Sequence, residues 1–243
     1  MALKHIPISA EAMHCSTCMM GNVCLPTGMP IHEVERLDEL VKERIRIPKG
    51  QMLFSKGQTL EALYGLRLGS LKTQLEDVAG NLQITGFYLP GEIVGLDGML
   101  DGLHDSNAIA LEDSEVCVVN LSDVDRIGMY VPSLQQQIRR LMSKEIVRSQ
   151  QALVALGSMR SEQRLASFLF NLSQRLSALG YSSTDFVMRM SREEIGNYLG
   201  LTIETVSRLF SRFARDGVIK VNQREIRILD LRAIKELAGQ PCD

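Results

Sequence analysis

No stretch of the 243 residues approaches the ~20 consecutive apolar residues that a membrane-spanning helix requires. The opening Met1-Ala-Leu-Lys-His also lacks the apolar run and small-residue cleavage site of a secretory signal. A cytoplasmic protein without a membrane partner is therefore expected. The chain carries no P-loop, G-x-S-x-G, H-E-x-x-H or G-x-G-x-x-G pattern, and His5, His14, His32 and His104 show no paired helical spacing. His14 adjoins Cys15 without completing such a pair. The usual signatures of phosphoryl transfer, serine hydrolysis, zinc proteolysis and dinucleotide chemistry are thus missing, and no enzymatic activity is expected. Aromatic residues make up only 5% of the chain, yet 45% is hydrophobic and 23% charged, enough for one large or two modest domains with ordinary cores.

There is also little net charge, a formal -2, but the total hides an uneven distribution. Met1 to Met159 holds 14 Lys and Arg against 19 Asp and Glu, whereas Arg160 to Lys235 holds 13 against 8. An acidic first part joined to a basic second part suits a sensing or docking region linked to one that tolerates a polyanion.

From about Ile45 to Leu121, short apolar runs alternate with turn signals at Pro48-Lys-Gly50, Gly57, Gly69, Ala79-Gly-Asn81 and Pro90-Gly91. The runs Leu63 to Leu68, Gln83 to Leu89 and Val116 to Leu121 predict strands of an antiparallel roll or barrel. From Pro132 the pattern becomes helical. Met142, Ile146, Ser149, Leu153 and Leu156 repeat at the a/d spacing of a coiled-coil seam with one polar member, and Gly157 ends the run. A helix packed on its own domain and a dimerisation helix both fit this pattern.

Farther on, Ser191 and Glu194 stand at capping-box spacing before a helix that Gly200 stops. Thr202 caps the next helix, Val206, Phe210 and Phe213 form its buried stripe, and Gly217 ends it. Two short helices around a Gly-containing turn predict a helix-turn-helix, and Val218 to Val221 with Glu225 to Leu229 predict a β-wing. On the exposed side of the second helix, Glu204, Ser207 and Arg208 point together from its first turns, where a recognition helix meets base edges. Arg can bond a guanine bidentately, Glu can accept from the cytosine amino group, and Ser can make a smaller contact. An i,i+4 ion pair between Glu204 and Arg208 is the alternative role of the same residues.

Cys15, Cys18 and Cys24 form C-x2-C-x5-C within one short segment. Cys117, in the apolar run Val116-Cys-Val-Val, supplies a fourth thiol, and Cys242 is left over near the C-terminus. Clustered thiols in a cytosolic protein point to metal or redox chemistry rather than disulfides. Structural zinc and an iron-sulfur cluster each take four ligands, and the spacing does not separate them.

The order roll, long helix, winged helix-turn-helix resembles the cyclic-AMP receptor protein superfamily over nearly the whole chain. The segment His14-Cys-Ser-Thr-Cys-Met-Met-Gly-Asn-Val-Cys-Leu-Pro and the phrases Gln83-Ile-Thr-Gly-Phe, Gly196-Asn-Tyr-Leu-Gly-Leu-Thr and Glu204-Thr-Val-Ser-Arg narrow it to the FNR branch, the fumarate-and-nitrate-reduction regulators. The resemblance implies an α+β fold. A cysteine-rich segment (1–28) is followed by a cyclic-nucleotide-binding-like β-roll (29–132), a dimerisation helix (133–157) and a winged helix-turn-helix (158–243).

It further implies an oxygen-labile 4Fe-4S cluster on Cys15, Cys18, Cys24 and Cys117, and a homodimer seam at Met142, Ile146, Ser149 and Leu153. Glu204, Ser207 and Arg208 would read a TTGAT-N4-ATCAA-like palindrome in double-stranded DNA. Oxygen would destroy the cluster and lower DNA binding, and the roll loop around Gly80 would contact RNA polymerase. Cyclic nucleotide binding is not expected. Leu96 stands where the superfamily's ribose-binding Glu would be, and Ser106 and Asn107 replace its phosphate-binding Arg and Ser, leaving a phosphate poorly compensated. One departure concerns Ser149, since relatives can carry an acidic seam residue that repels its copy. A zinc-stabilised regulator without a sensing role fits the same residues, whereas a ferredoxin-like electron carrier uses the cysteines but leaves the helix-turn-helix unexplained.

Overall fold

The computed structural model describes residues 3–7 and 15–240, so His14 and Cys242 lie outside the described residues. They form two compact units, Met1–Ile146 and Val147–Asp243, whose boundary falls inside the long helix. Among the described residues no helix is long and apolar enough to cross a membrane.

The first unit is a roll of two antiparallel sheets. Strands β1 (Lys4–Pro7), β2 (Val41–Ile47), β4 (Ala62–Leu68), β7 (Ile93–Val94) and β9 (Ser114–Asn120) form a five-stranded sheet in the order β1-β2-β9-β4-β7. Strands β3 (Met52–Phe54), β5 (Leu71–Glu76), β6 (Leu82–Tyr88) and β8 (Asn107–Ala110) form the other, in the order β3-β8-β5-β6. A short helix α1 (Ile31–Val34), helix α2 (Leu121–Gly128) and the start of α3 (Pro132–Ser158) complete the unit.

The two-residue period of a strand explains why β4 and β9 read as nearly continuous apolar runs. Tyr64, Leu66, Val116 and Val118 point into the roll, where they pack with Phe54, Leu71 and Ala108. Their neighbours Leu63, Cys117 and Val119 face the opposite side, into a second core with Leu25, Leu37, Val124, Leu134 and Ile138. Both faces of this sheet are therefore covered. The second core also joins the region after the cysteines to the first turns of α3.

The hairpin joining β5 to β6 is a local device. The Asp77 carboxylate accepts hydrogen bonds from the Ala79 and Asn81 amides at 2.8 and 2.9 Å, and Gly80 takes φ +83. These amide and side-chain bonds hold the Asp77 carboxyl below the usual carboxylate range.

In the second unit, α4 (Ser161–Ala178) packs on α5 (Arg192–Leu199), α6 (Ile203–Arg215) and α7 (Leu231–Leu237). Strands β10 (Asp185–Val187), β12 (Glu225–Ile228) and β11 (Ile219–Asn222) form a three-stranded antiparallel sheet in that order. The wing predicted from Val218 to Leu229 is present, and β10 adds a third strand to it.

Candidate cluster site and nucleic-acid interface

Three of the four predicted cysteine ligands are brought together by consecutive tight turns. Backbone hydrogen bonds run from Cys18 to the Cys15 carbonyl (3.4 Å), from Gly21 to Cys18 (3.0 Å) and from Cys24 to Met20 (2.8 Å). The coil so formed is tied to the region after it by Ser16, whose amide and hydroxyl donate to the Asp38 carboxylate at 2.9 and 2.5 Å. It also lies against the Pro90-Gly91 turn. A Cβ at Gly91 would come within 2.6 Å of Val23 Cγ2, and the residue takes φ +86, so only glycine fits.

The fourth cysteine comes from the sheet. Cys117 in β9 stands opposite Gly65 in β4 and Arg44 in β2. Cys15, Cys18, Cys24 and Cys117 thereby line one cavity with Leu25, Val41, Arg44, Gly65, Ile93 and Val119, about 480 Å³ of space that is partly open to solvent. Gly65 contributes to that space directly, because a Cβ there would stand 3.5 Å from Cys24 Sγ and 3.9 Å from Cys117 Cβ.

Burial raises the Cys24 thiol to about 12 and the Cys15 thiol well above the ordinary thiol range, with the neighbouring cysteines adding to the rise at Cys15. Burial also raises Cys117, but the charge and hydrogen bond of Arg44 pull it back. Cys15, Cys24 and Cys117 must thus give up protons to bind a metal group. Among the described residues, no three His, Cys, Asp or Glu side chains gather closely enough to hold a single metal ion. Four soft thiol donors around a common cavity, one wall of which is a glycine, suit a zinc ion or an iron-sulfur cluster.

The helix-turn-helix is built as its caps dictate. Ser191 Oγ accepts from the Glu194 amide at 3.1 Å and the Glu194 carboxylate accepts from the Ser191 amide at 2.7 Å. Gly200 closes α5 in the left-handed conformation, and the Thr202 hydroxyl caps α6. Gly196 lies within α5 on the side facing the turn, where a Cβ would clash with the Leu201 carbonyl at 2.6 Å.

Val206, Leu209, Phe210 and Phe213 are buried, while Glu204, Ser207 and Arg208 are exposed on the opposite side of α6. The Arg208 guanidinium leans on the Thr205 hydroxyl (3.4 Å) rather than on the Glu204 carboxylate. Glu204 is held below the usual carboxylate range by its own backbone amide and the Thr202 hydroxyl. All three side chains are free to meet base edges.

The comparisons agree with this architecture. Residues 44–129 match the cyclic nucleotide-binding domain model and residues 163–237 match the Crp-like helix-turn-helix domain model. The chain is 66% identical over 237 residues to the transcriptional regulatory protein btr of Bordetella pertussis, covering 98% of each chain. It is 40% identical over 237 residues to the fumarate and nitrate reduction regulatory protein of Escherichia coli, covering 98% of this chain and 95% of that one. The chain belongs to the FNR branch of the cyclic-AMP receptor protein superfamily. The fold is shared with FixK2 from Bradyrhizobium japonicum at a TM-score of 0.73 and 24% identity, over 82% of this chain and 98% of that one. This FNR-branch chain is accordingly a transcription regulator with a DNA-binding helix-turn-helix.

Three features of this FNR-branch protein were not visible in its sequence. Arg164 donates to the carbonyls of Leu156 (2.8 Å), Met159 (3.0 Å) and Leu199 (2.9 Å), so one guanidinium joins the C-terminal end of α3 to that of α5. Arg192 lies 3.2 Å from the centre of the Phe210 ring and braces α5 against α6, and burial pushes its pKa down to about 10. Lastly, Asp97 takes up the donors of the segment aligned with a phosphate site. Its carboxylate accepts from the Asp105 amide (3.1 Å), the Ser106 amide (3.0 Å) and the Ser106 hydroxyl (2.7 Å), with His104 Nδ1 at 3.2 Å. Each depends on residues distant in sequence or on a pairing that periodicity does not encode.

Proposed function

We propose that this regulator responds to oxygen through a 4Fe-4S cluster held by Cys15, Cys18, Cys24 and Cys117, and that it binds a TTGAT-N4-ATCAA-like palindrome as a homodimer. The observation that carries this reading is the convergence of three cysteines from the N-terminal coil and one from β9 on a single cavity. When bound, the cluster supplies an oxygen-labile link between the N-terminal coil and the sheet.

The chain's own residues carry the effect of that link to α3. Leu25, just after Cys24, is buried in the same core as Leu134 and Ile138 of α3, and Cys15, Cys24 and Cys117 pack against that core. Ser133 in the first turn of α3 hydrogen-bonds Glu33 of α1. Fixing the coil therefore steadies the base of α3.

Along that helix Met142, Ile146, Leu153 and Leu156 are 39%, 58%, 69% and 37% exposed in the single chain, a stripe of apolar surface at seam spacing. A second copy pairing along the stripe would bury it and bring two α6 helices to half-sites one helical turn apart. Without the link, the coil is held by the Ser16–Asp38 bonds and the burial of Leu25, so the dimer and its DNA complex are weakened by mass action.

The exposed turn around Gly80 is the patch we assign to RNA polymerase, since Val78 at its tip projects fully into solvent. No cyclic nucleotide is bound in this reading, because Asp97 already uses the donors a phosphate would need and Leu96 and Asn107 offer no charge. Iron and sulfide analysis of anaerobically purified protein tests the site. Equal amounts near those of one cluster per chain are expected, and zinc in their place would overturn the reading.

A further inference from the structure

Among the described residues, the cavity that gathers the four cysteines has one charged wall residue, Arg44. Its side chain is 15% exposed, and it stands directly across from Cys117 in the pairing of β2 with β9. Behind it lies Glu115 on β9, whose side chain is 9% exposed and which stands two residues from Cys117. Glu115 meets three arginines: Arg67 Nη1 at 2.9 Å, Arg46 Nε at 3.3 Å and Arg44 Nε at 3.8 Å. Three guanidinium groups thus surround this one carboxylate. Arg44 is the member of the group that lines the cavity, while Arg46 is 61% exposed.

Four thiolates around an iron-sulfur cluster would carry net negative charge in a largely apolar cavity, which is costly unless a positive group meets it. Resting on the cluster reading above, we infer that Arg44 is the positioning residue that completes this charge pairing: it hydrogen-bonds the Cys117 sulfur, offsets the cluster's negative charge and sets how firmly the cluster is retained. The cross-strand position puts Arg44 beside Cys117, and the Glu115 carboxylate stands 3.8 Å from its Nε. Groups of this kind around a metal site change affinity by about 10- to 100-fold when removed.

The test compares intact chains of wild type, Arg44→Met, Arg44→Lys and Arg46→Met, each reconstituted anaerobically with iron and sulfide. The rate of iron loss to an excess of chelator under nitrogen is read for each, together with the thermal midpoint of each apo-protein. Arg44→Met keeps the aliphatic stem, and Glu115 retains Arg67 and Arg46, so the apo fold is expected to survive.

Iron loss at least about 10-fold faster in Arg44→Met is expected, with Arg44→Lys restoring part of the retention and Arg46→Met matching wild type. Equal loss from Arg44→Met and wild type would overturn the assignment. So would equal acceleration in Arg46→Met, which would show a general effect of the Glu115 network. A wild-type protein that takes up no iron and sulfide would overturn the cluster reading itself and this inference with it. The two failures are thus told apart by the wild-type sample alone.

Discussion

Gly65 offers a perturbation in which stability and cluster retention move in opposite directions. It lies inside β4, where glycine costs roughly 0.5–1 kcal/mol relative to alanine through backbone entropy. A Cβ built there meets Cys24 Sγ and Ile93 Cδ1 at 3.5 Å and Cys117 Cβ at 3.9 Å, all ordinary contact distances. Gly65→Ala is therefore accommodated by the apo-protein without strain. It is expected to raise apo stability by up to about 1 kcal/mol, a rise of roughly 1–4 °C in Tm for a chain of this size. The same methyl stands between two sulfur-bearing side chains that share the cluster in the proposed reading. Gly65→Val carries two more methyls into that space. Its iron and sulfide content after anaerobic reconstitution is expected to fall below about one-tenth of wild type, while its apo far-ultraviolet dichroism stays unchanged. Differential scanning calorimetry of the apo-proteins and iron and sulfide assays of the reconstituted ones supply the two readouts. Wild-type cluster content in Gly65→Val would refute the placement of the cluster between β4, β9 and the N-terminal coil.

Other expectations concern separate parts of the molecule. Arg208→Ala should cost about 1–3 kcal/mol of discrimination at one base position of each half-site, measured by fluorescence anisotropy with matched and mismatched palindromes, and leave cluster content unchanged. Since Ser149 brings no charge to the α3 seam, cluster loss should leave a measurable dimer fraction by light scattering, and Ser149→Asp should abolish it through like-charge repulsion. A wholly monomeric wild-type apo-protein at working concentration would contradict this. Calorimetry with cyclic AMP should register no binding, and micromolar affinity would contradict the role given to Asp97.

The sequence was most legible where structure is dictated locally. The capping box at Ser191 and Glu194, the Thr202 cap, the Gly200 terminator and the buried stripe of α6 are short-range signals, and all of them appear in the structure as expected. The apolar runs of β4, β6 and β9 were equally plain, because strands covered on one or both faces leave a strong pattern. What the sequence concealed depends on pairing between distant segments. Strands β1 and β10 are too short and too little buried to mark themselves, and exist through pairing with β2 and β12.

Cys117 was legible as a fourth thiol, but its neighbours were not, since Gly65 and Arg44 stand beside it only once β9 is placed between β4 and β2. Nothing near Arg44 in the chain marks it as a neighbour of a thiol. Glu204 and Arg208 allowed two readings by spacing, an ion pair or a pair of base contacts. The hydrogen bond from Arg208 to Thr205 leaves their charged ends apart.

The central claim is tested most directly by a single preparation handled without oxygen. Its visible spectrum and its affinity for a TTGAT-N4-ATCAA duplex are recorded before and after exposure to air, at a stated salt concentration. The account predicts a brown protein that binds the duplex tightly, then bleaches and loses affinity together in air. A colourless protein with the same affinity before and after air would contradict it, leaving a DNA-binding regulator governed by some other signal.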